Sequence, residues 1–219
     1  MNLTELKSLV KKGEGLQLEF KKKADYPEKI VRELVAFANT KGGTLLLGVD
    51  DAGKLTGLKF PDEDLYVMEA ALYKYAKPEI PVYIEIIPIG SGLSIISFQV
   101  EQGTNQPYYW LVDKEMQIFK AYVRHKDQSL KASKEMFQIL RHRGLIREKK
   151  PFQVQAIEQK LLDHLGKSGN ITLMDFCKLA DLKKQKASRF LVNWVNQGVL
   201  EISPEEDFDL YFLSKNYSA

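Results

Sequence analysis

Gly48, Gly53 and Lys54, in the stretch LLLGVDDAGKL (45–55), repeat the spacing of a phosphate-binding loop: two glycines five apart with a lysine directly behind the second. Such a loop also needs a helix after the lysine, its N-terminus facing the anion, and a Ser or Thr to meet magnesium. Leu55 stands where the hydroxyl residue belongs, and the residues after it alternate like a strand. Asp50 and Asp51 would add two negative charges to the anion cradle, where like charges repel. The stretch therefore reads as a D-A-G turn closing a hairpin, with KLTGLKF (54–60) as the partner strand. Neither a nucleotide site nor ATPase activity is expected.

Carboxylates and lysines offer a second chemistry. Glu14 and Glu19 lie within GEGLQLEFKKK (13–23), directly before Lys21, Lys22 and Lys23. Hard divalent cations choose carboxylate oxygen, so separated acids beside lysines can hold a metal and a phosphate backbone together. The same spacing also describes solvated charge near strand ends. Arg124, His125 and Lys126 continue a strand and extend the phosphate-binding set, unless they only protect a sheet edge. His125, His142 and His164 share no zinc-ligand spacing. Tyr108, Tyr109 and Trp110 are expected to pack at a sheet edge rather than stack on bases, and Cys177 to lie in a core.

These residues must be positioned by a chain of 219 residues, with 44% hydrophobic and 28% charged side chains, which is enough to bury more than one core. The formal charge of +3 is too small to announce a nucleic-acid binder, so any such role depends on local clusters. One cysteine gives no reason to invoke an oxidising compartment, and no segment is apolar for the length of a membrane span, so a cytoplasmic protein is expected.

A short helix begins the chain, capped by Asn2 or Thr4, with Leu3, Leu6 and Val10 on one face. Leu16, Leu18 and Phe20 then alternate with polar residues, which turns Glu19 away from the core. Pro27 opens the helix PEKIVRELVAFAN, which stops at glycines 42 and 43. TLLLGV, VYIEIIPI, LSIISFQV and MQIFKAYVRH read as strands, 62–76 and SKEMFQILRHR as helices, the latter capped by Ser133. The expected first domain, 1–146, is thus a mixed α/β (α+β) unit with a partly antiparallel sheet. Residues 147–152 read as a charged linker ending near Pro151.

From 153 to 219, helices over 154–165, 172–179 and 184–197 precede two strands around Pro204–Asp207. That order is a winged helix-turn-helix. Lys183, Lys184, Lys186 and Arg189 gather at the start of its long helix, where a recognition helix meets DNA. The acidic hairpin tip, Glu205, Glu206 and Asp207, suits phosphate poorly and leaves protein contact as an alternative use.

The segments LEFKKK (18–23), AFANTKGGTLLLGVDDAGKLTGL (36–58) and YVRHKDQSLKAS (122–133) together resemble the Schlafen AlbA-type domain, widespread in bacterial proteins, over residues 10 to 133. The resemblance implies DNA binding, and with the winged helix it suggests a transcriptional regulator. It also implies an alternative. Some Schlafen proteins are metal-dependent ribonucleases using two glutamates and one aspartate, which here fall on Glu14, Glu19 and Asp51, or Asp50 if the alignment slips by one. Mg or Mn would be the cofactor. The nuclease-active animal proteins pair two such lobes, so a single lobe would need a homodimer to cleave RNA. A third alternative is a protein-interaction module.

Overall fold

The computed structural model describes residues 1–113, 115–143, 156–215 and 217, so the expected linker 147–152 lies outside the described residues. Two compact units divide the chain, Met1–Lys131 and Ala132–Ala219.

The first unit opens with helix α1 (Leu3–Val10). Asn2 caps it, accepting from the backbone N–H of Thr4 and Glu5, while Glu5 accepts from the Asn2 N–H in return. Strand β1 (Leu18–Lys21), helix α2 (Pro27–Asn39) and strand β2 (Gly43–Leu47) follow. Pro27 starts α2 because a first-turn residue needs no N–H partner. Gly42 ends the turn after it at φ 69°, and a Cβ there would meet the Val100 carbonyl at 2.5 Å. Next come α3 (Pro61–Tyr75), β3 (Ala76–Lys77), β4 (Val82–Gly90), β5 (Leu93–Val100), β6 (Tyr109–Asp113), β7 (Ile118–Lys120), β8 (Tyr122–His125) and β9 (Gln128–Lys131).

The main sheet has the order β1-β2-β5-β4, with β1 and β2 parallel and the other pairs antiparallel. Both faces are covered. Leu45, Leu47, Ile96 and Phe98 pack against residues of α2 and α3, whereas Leu18, Phe20, Leu46 and Ile95 pack against Leu6 and Val10 of α1. Alternation along β1 therefore turns Glu19 toward the α2 side, where it is buried rather than solvated, contrary to the sequence expectation. Two smaller sheets, β3-β6-β7 and β8-β9, complete the unit. MQIFKAYVRH is thus two strands, β7 and β8, and KLTGLKF forms only single bridges, Val49 to Leu55 and Leu58 to Ser94.

The second unit runs α4 (Lys134–Arg143), α5 (Ala156–Ser168), β10 (Ile171–Thr172), α6 (Leu173–Ala180), α7 (Lys184–Asn196), β11 (Leu200–Pro204) and β12 (Asp209–Leu213). Its antiparallel sheet has the order β10-β12-β11, under a core of Leu161, Phe176, Leu191, Trp194 and Tyr211. The sequence assigned α4 to the first domain. Its buried Glu135, Met136, Ile139 and Leu140 instead place it in the second unit, where it packs on α7 and Glu135 accepts from the Ser188 hydroxyl at 2.6 Å. Among the described residues, no helix is long and apolar enough to cross a membrane.

Candidate functional site

Asp50 settles the chemistry of its loop. Its carboxylate accepts from the backbone N–H of Ala52 at 3.1 Å and of Lys54 at 2.9 Å, and Gly53 (φ 76°) donates to its carbonyl at 2.8 Å. The amides that would cradle a phosphate thus already hold a carboxylate, and no helix starts behind Lys54 before Pro61.

The three carboxylates expected to share a metal line three hollows, two of which meet at Gly13. Glu14 borders one of about 760 Å³ beside Lys12 and Lys41, and its Oε1 accepts from the Phe20 N–H at 2.8 Å. Asp51 borders a second, of about 520 Å³, between Lys7, Lys11 and Gly53. Glu19 lies at a third, of about 550 Å³, with Glu33 of α2. Among the described residues no group of three or more His, Cys, Asp or Glu side chains is placed to hold a metal ion. Neither Asp51 nor the fallback Asp50 completes a set with the glutamates. The residues present do not fit Mg or Mn, and no hydrolytic step follows from them.

Glu19 has other partners. The Arg124 guanidinium, fully buried, places Nη1 3.0 Å from Glu19 Oε2 and 2.9 Å from Glu33 Oε2. Its Nη2 donates to the Gly15 carbonyl at 2.7 Å, and the group lies over the Phe37 ring at 4.9 Å. Ser129 donates to Glu33, and Arg32 pairs with Glu33 at 2.9 Å. Burial pushes the Glu19 carboxyl above its ordinary range, against the lowering effect of the hydrogen bond and charge of Lys21. Arg124, expected to meet phosphate, instead neutralises two buried acids. Lys21 is likewise committed, bonded to Glu19 and to the Phe20 carbonyl at 2.9 Å.

Asn39 does not stand out in the sequence as a functional candidate, yet it organises this region. Its Nδ2 donates to the carbonyls of Tyr108 at 2.8 Å and Tyr122 at 2.9 Å, and its Oδ1 accepts from the Tyr108 N–H at 2.8 Å. Thr40 accepts from the Arg124 N–H at 2.8 Å. The AFANTKGG segment is therefore a bracket that holds β6 and β8 on the end of α2. Tyr108 is buried, and Trp110 donates to the Glu28 carbonyl at 2.7 Å and meets Tyr122 edge-on, so these aromatics pack, although on or beside the middle strand of their sheet rather than at the expected edge.

Lys22, Lys23 and Lys126 are exposed on the first unit. In the second, Lys183, Lys184, Lys186 and Arg189 are exposed around the start of α7, whose first turn carries no acidic residue and no side-chain cap. The helix macrodipole adds positive potential there. On the inner side, the Ser133 hydroxyl donates to Asp209 at 2.5 Å, and burial pushes that carboxyl up, with Glu135 acting in the same direction.

No curated protein matches the chain. Among solved structures it is similar to the N-terminal domain of an ATP-dependent DNA helicase RecG-related protein from Nitrosomonas europaea, at 21% identity and a TM-score of 0.40, covering 50% of this chain and 80% of that one. It is also similar to the DIP2311 protein from Corynebacterium diphtheriae, at 13% identity and a TM-score of 0.46, over 78% of this chain and 31% of that one. The model of the family "Schlafen, AlbA_2" matches residues 14–133. As that match spans more than half of its length, and as the segments that resembled the family all lie within it, the chain belongs to the Schlafen AlbA_2 family.

Proposed function

We propose that this chain is a nucleic-acid-binding protein of the bacterial cytoplasm, a transcriptional regulator that holds DNA through its second unit. In this reading α5, β10, α6, α7 and the β11–β12 hairpin form a winged helix-turn-helix, with α7 as the recognition helix. The observation that carries it is the exposed set Lys183, Lys184, Lys186 and Arg189 at the uncapped start of α7. Cations at the positive end of a helix dipole attract phosphate oxygen, and the leading residues of such a helix reach base edges.

The acidic tip Glu205–Asp207 leaves the wing poorly matched to phosphate, so α7 carries the contact. Lys22, Lys23 and Lys126 offer a separate phosphate surface on the first unit. Salt-dependent DNA binding that weakens when Lys183, Lys184 and Lys186 are neutralised tests the proposal. Among the described residues no three acids are placed to hold a metal ion, so a ribonuclease reading has no comparable support.

A further inference from the structure

Tyr26 is 67% exposed, and its backbone is held at φ 55° and ψ 60°, a left-handed conformation that a tyrosine seldom takes. Burial gives no reason for a large aromatic ring at this position. The ring borders the hollow of about 550 Å³ shared by Glu19 and Glu33, and Lys29 Nζ stands 4.7 Å from its centroid. Gln128 and Ser129 of β9 line the hollow as well. The charges of Glu19 and Glu33 on its floor are already offset by Lys21, Arg32 and Arg124, so they present acceptor oxygen without a large net charge. Exposed Lys22 and Lys23 precede Tyr26 in the chain, and exposed Lys126 precedes the wall residue Asp127. Asp25 and Asp127 at the rim offset part of that positive charge.

A flat exposed ring, acceptor and amide groups below it and lysines around it match one ligand class. We infer that the first unit binds single-stranded nucleic acid, stacking an unpaired base on Tyr26 at the mouth of this hollow while Lys22, Lys23 and Lys126 hold the flanking phosphates. A duplex keeps its bases stacked within the helix and cannot use the ring. The site lies in a different unit from α7, and the inference rests on the proposed function only in taking nucleic acid as the ligand.

The test uses the full chain carrying Lys183→Gln, Lys184→Gln and Lys186→Gln, so that α7 contributes little. Labelled oligo-dT, oligo-U and a DNA duplex are titrated by fluorescence anisotropy, with Tyr26→Ala, Tyr26→Trp and Tyr26→Gly added in turn. The expected result is that Tyr26→Ala weakens single-strand binding about tenfold, Tyr26→Trp keeps it, and duplex binding does not respond. Comparison of oligo-dT with oligo-U shows whether DNA or RNA is preferred. Tyr26→Gly relieves the left-handed backbone, so it should lose single-strand affinity while its Tm holds or rises, which separates lost binding from lost fold. Absent single-strand binding, or binding unchanged within about twofold by Tyr26→Ala, overturns the inference, since stacking on one base is worth more than that. If the α7 substitutions leave duplex binding untouched while Tyr26→Ala still weakens the single strand, the regulator proposal fails and this one stands.

Discussion

Arg124 Nη1 lies 3.0 Å from Glu19 Oε2, a buried ion pair joining β8 to β1. The same nitrogen is 2.9 Å from Glu33 Oε2 on α2, so one cation ties three elements whose residues are far apart in sequence. A buried charge is tolerated only while its partners remain. These residues support the surface above them; they do not themselves present charge to a ligand.

Replacing Arg124 with Met should therefore cost about 3 to 5 kcal/mol, because two buried carboxylates lose their shared partner. Urea unfolding would show this as a lower midpoint. A loss below about 1 kcal/mol would mean that the pair is solvated and worth no more than a surface one.

Asn39 bridges the backbones of Tyr108 and Tyr122 from a fully buried position. Asn39→Ala leaves these backbone groups without their partner, and a loss of about 3 kcal/mol is expected in equilibrium unfolding. Asn39→Asp should not rescue it, since a carboxylate cannot donate to the two carbonyls.

The helix PEKIVRELVAFAN is legible in the sequence because an opening proline coincides with a 3.6-residue period, 184–197 because of its period alone, and the β4–β5 hairpin because Gly90-Ser91-Gly92 separates two apolar runs. The short strands β6, β9 and β10 are not recognisable as elements, since two to five residues are too few to establish alternation. Arg124 misleads for a different reason. It looks like a surface charge in its own segment, and its burial against Glu33 becomes visible only when 91 positions of separation are closed by the fold. The grouping of Glu14 and Glu19 with Asp51 came from resemblance, and among the described residues no three such side chains are placed to hold a metal ion.

Asp209 supplies a pH test. Its carboxyl is raised above 3.8, chiefly by burial, so the folded state holds the proton more tightly than the unfolded chain does. That stabilisation is fully present below about 3.8 and is lost as pH rises through the folded value. Asp209→Asn can still accept from Ser133 but has no charge to bury. It should raise Tm at pH 7 relative to the parent and lessen the decline between acid and neutral pH. Glu19, raised in the same sense, remains in both proteins as a common background. A lower Tm for Asp209→Asn at pH 7 would contradict the assignment.

The lack of a metal-holding group of side chains among the described residues predicts a metal response as well. A site built from Glu14, Glu19 and Asp51 would make Mn²⁺ raise Tm by preferential binding to the folded state, and Asp51→Asn would remove that rise. The structure predicts no Mn²⁺-dependent rise that Asp51→Asn abolishes. Asp51→Asn itself should alter stability by less than about 0.5 kcal/mol, as expected for an exposed side chain.

Whether the start of α7 holds DNA is read most directly from the salt dependence of duplex binding. Log affinity against log salt concentration is compared for the parent and for Lys183→Gln, Lys184→Gln, Lys186→Gln in one chain. If these lysines meet phosphates, affinity falls at every salt concentration and the slope shrinks by about 2 to 3, near 0.9 for each phosphate no longer neutralised. Equal slopes and equal affinities for the two proteins would contradict DNA binding through α7.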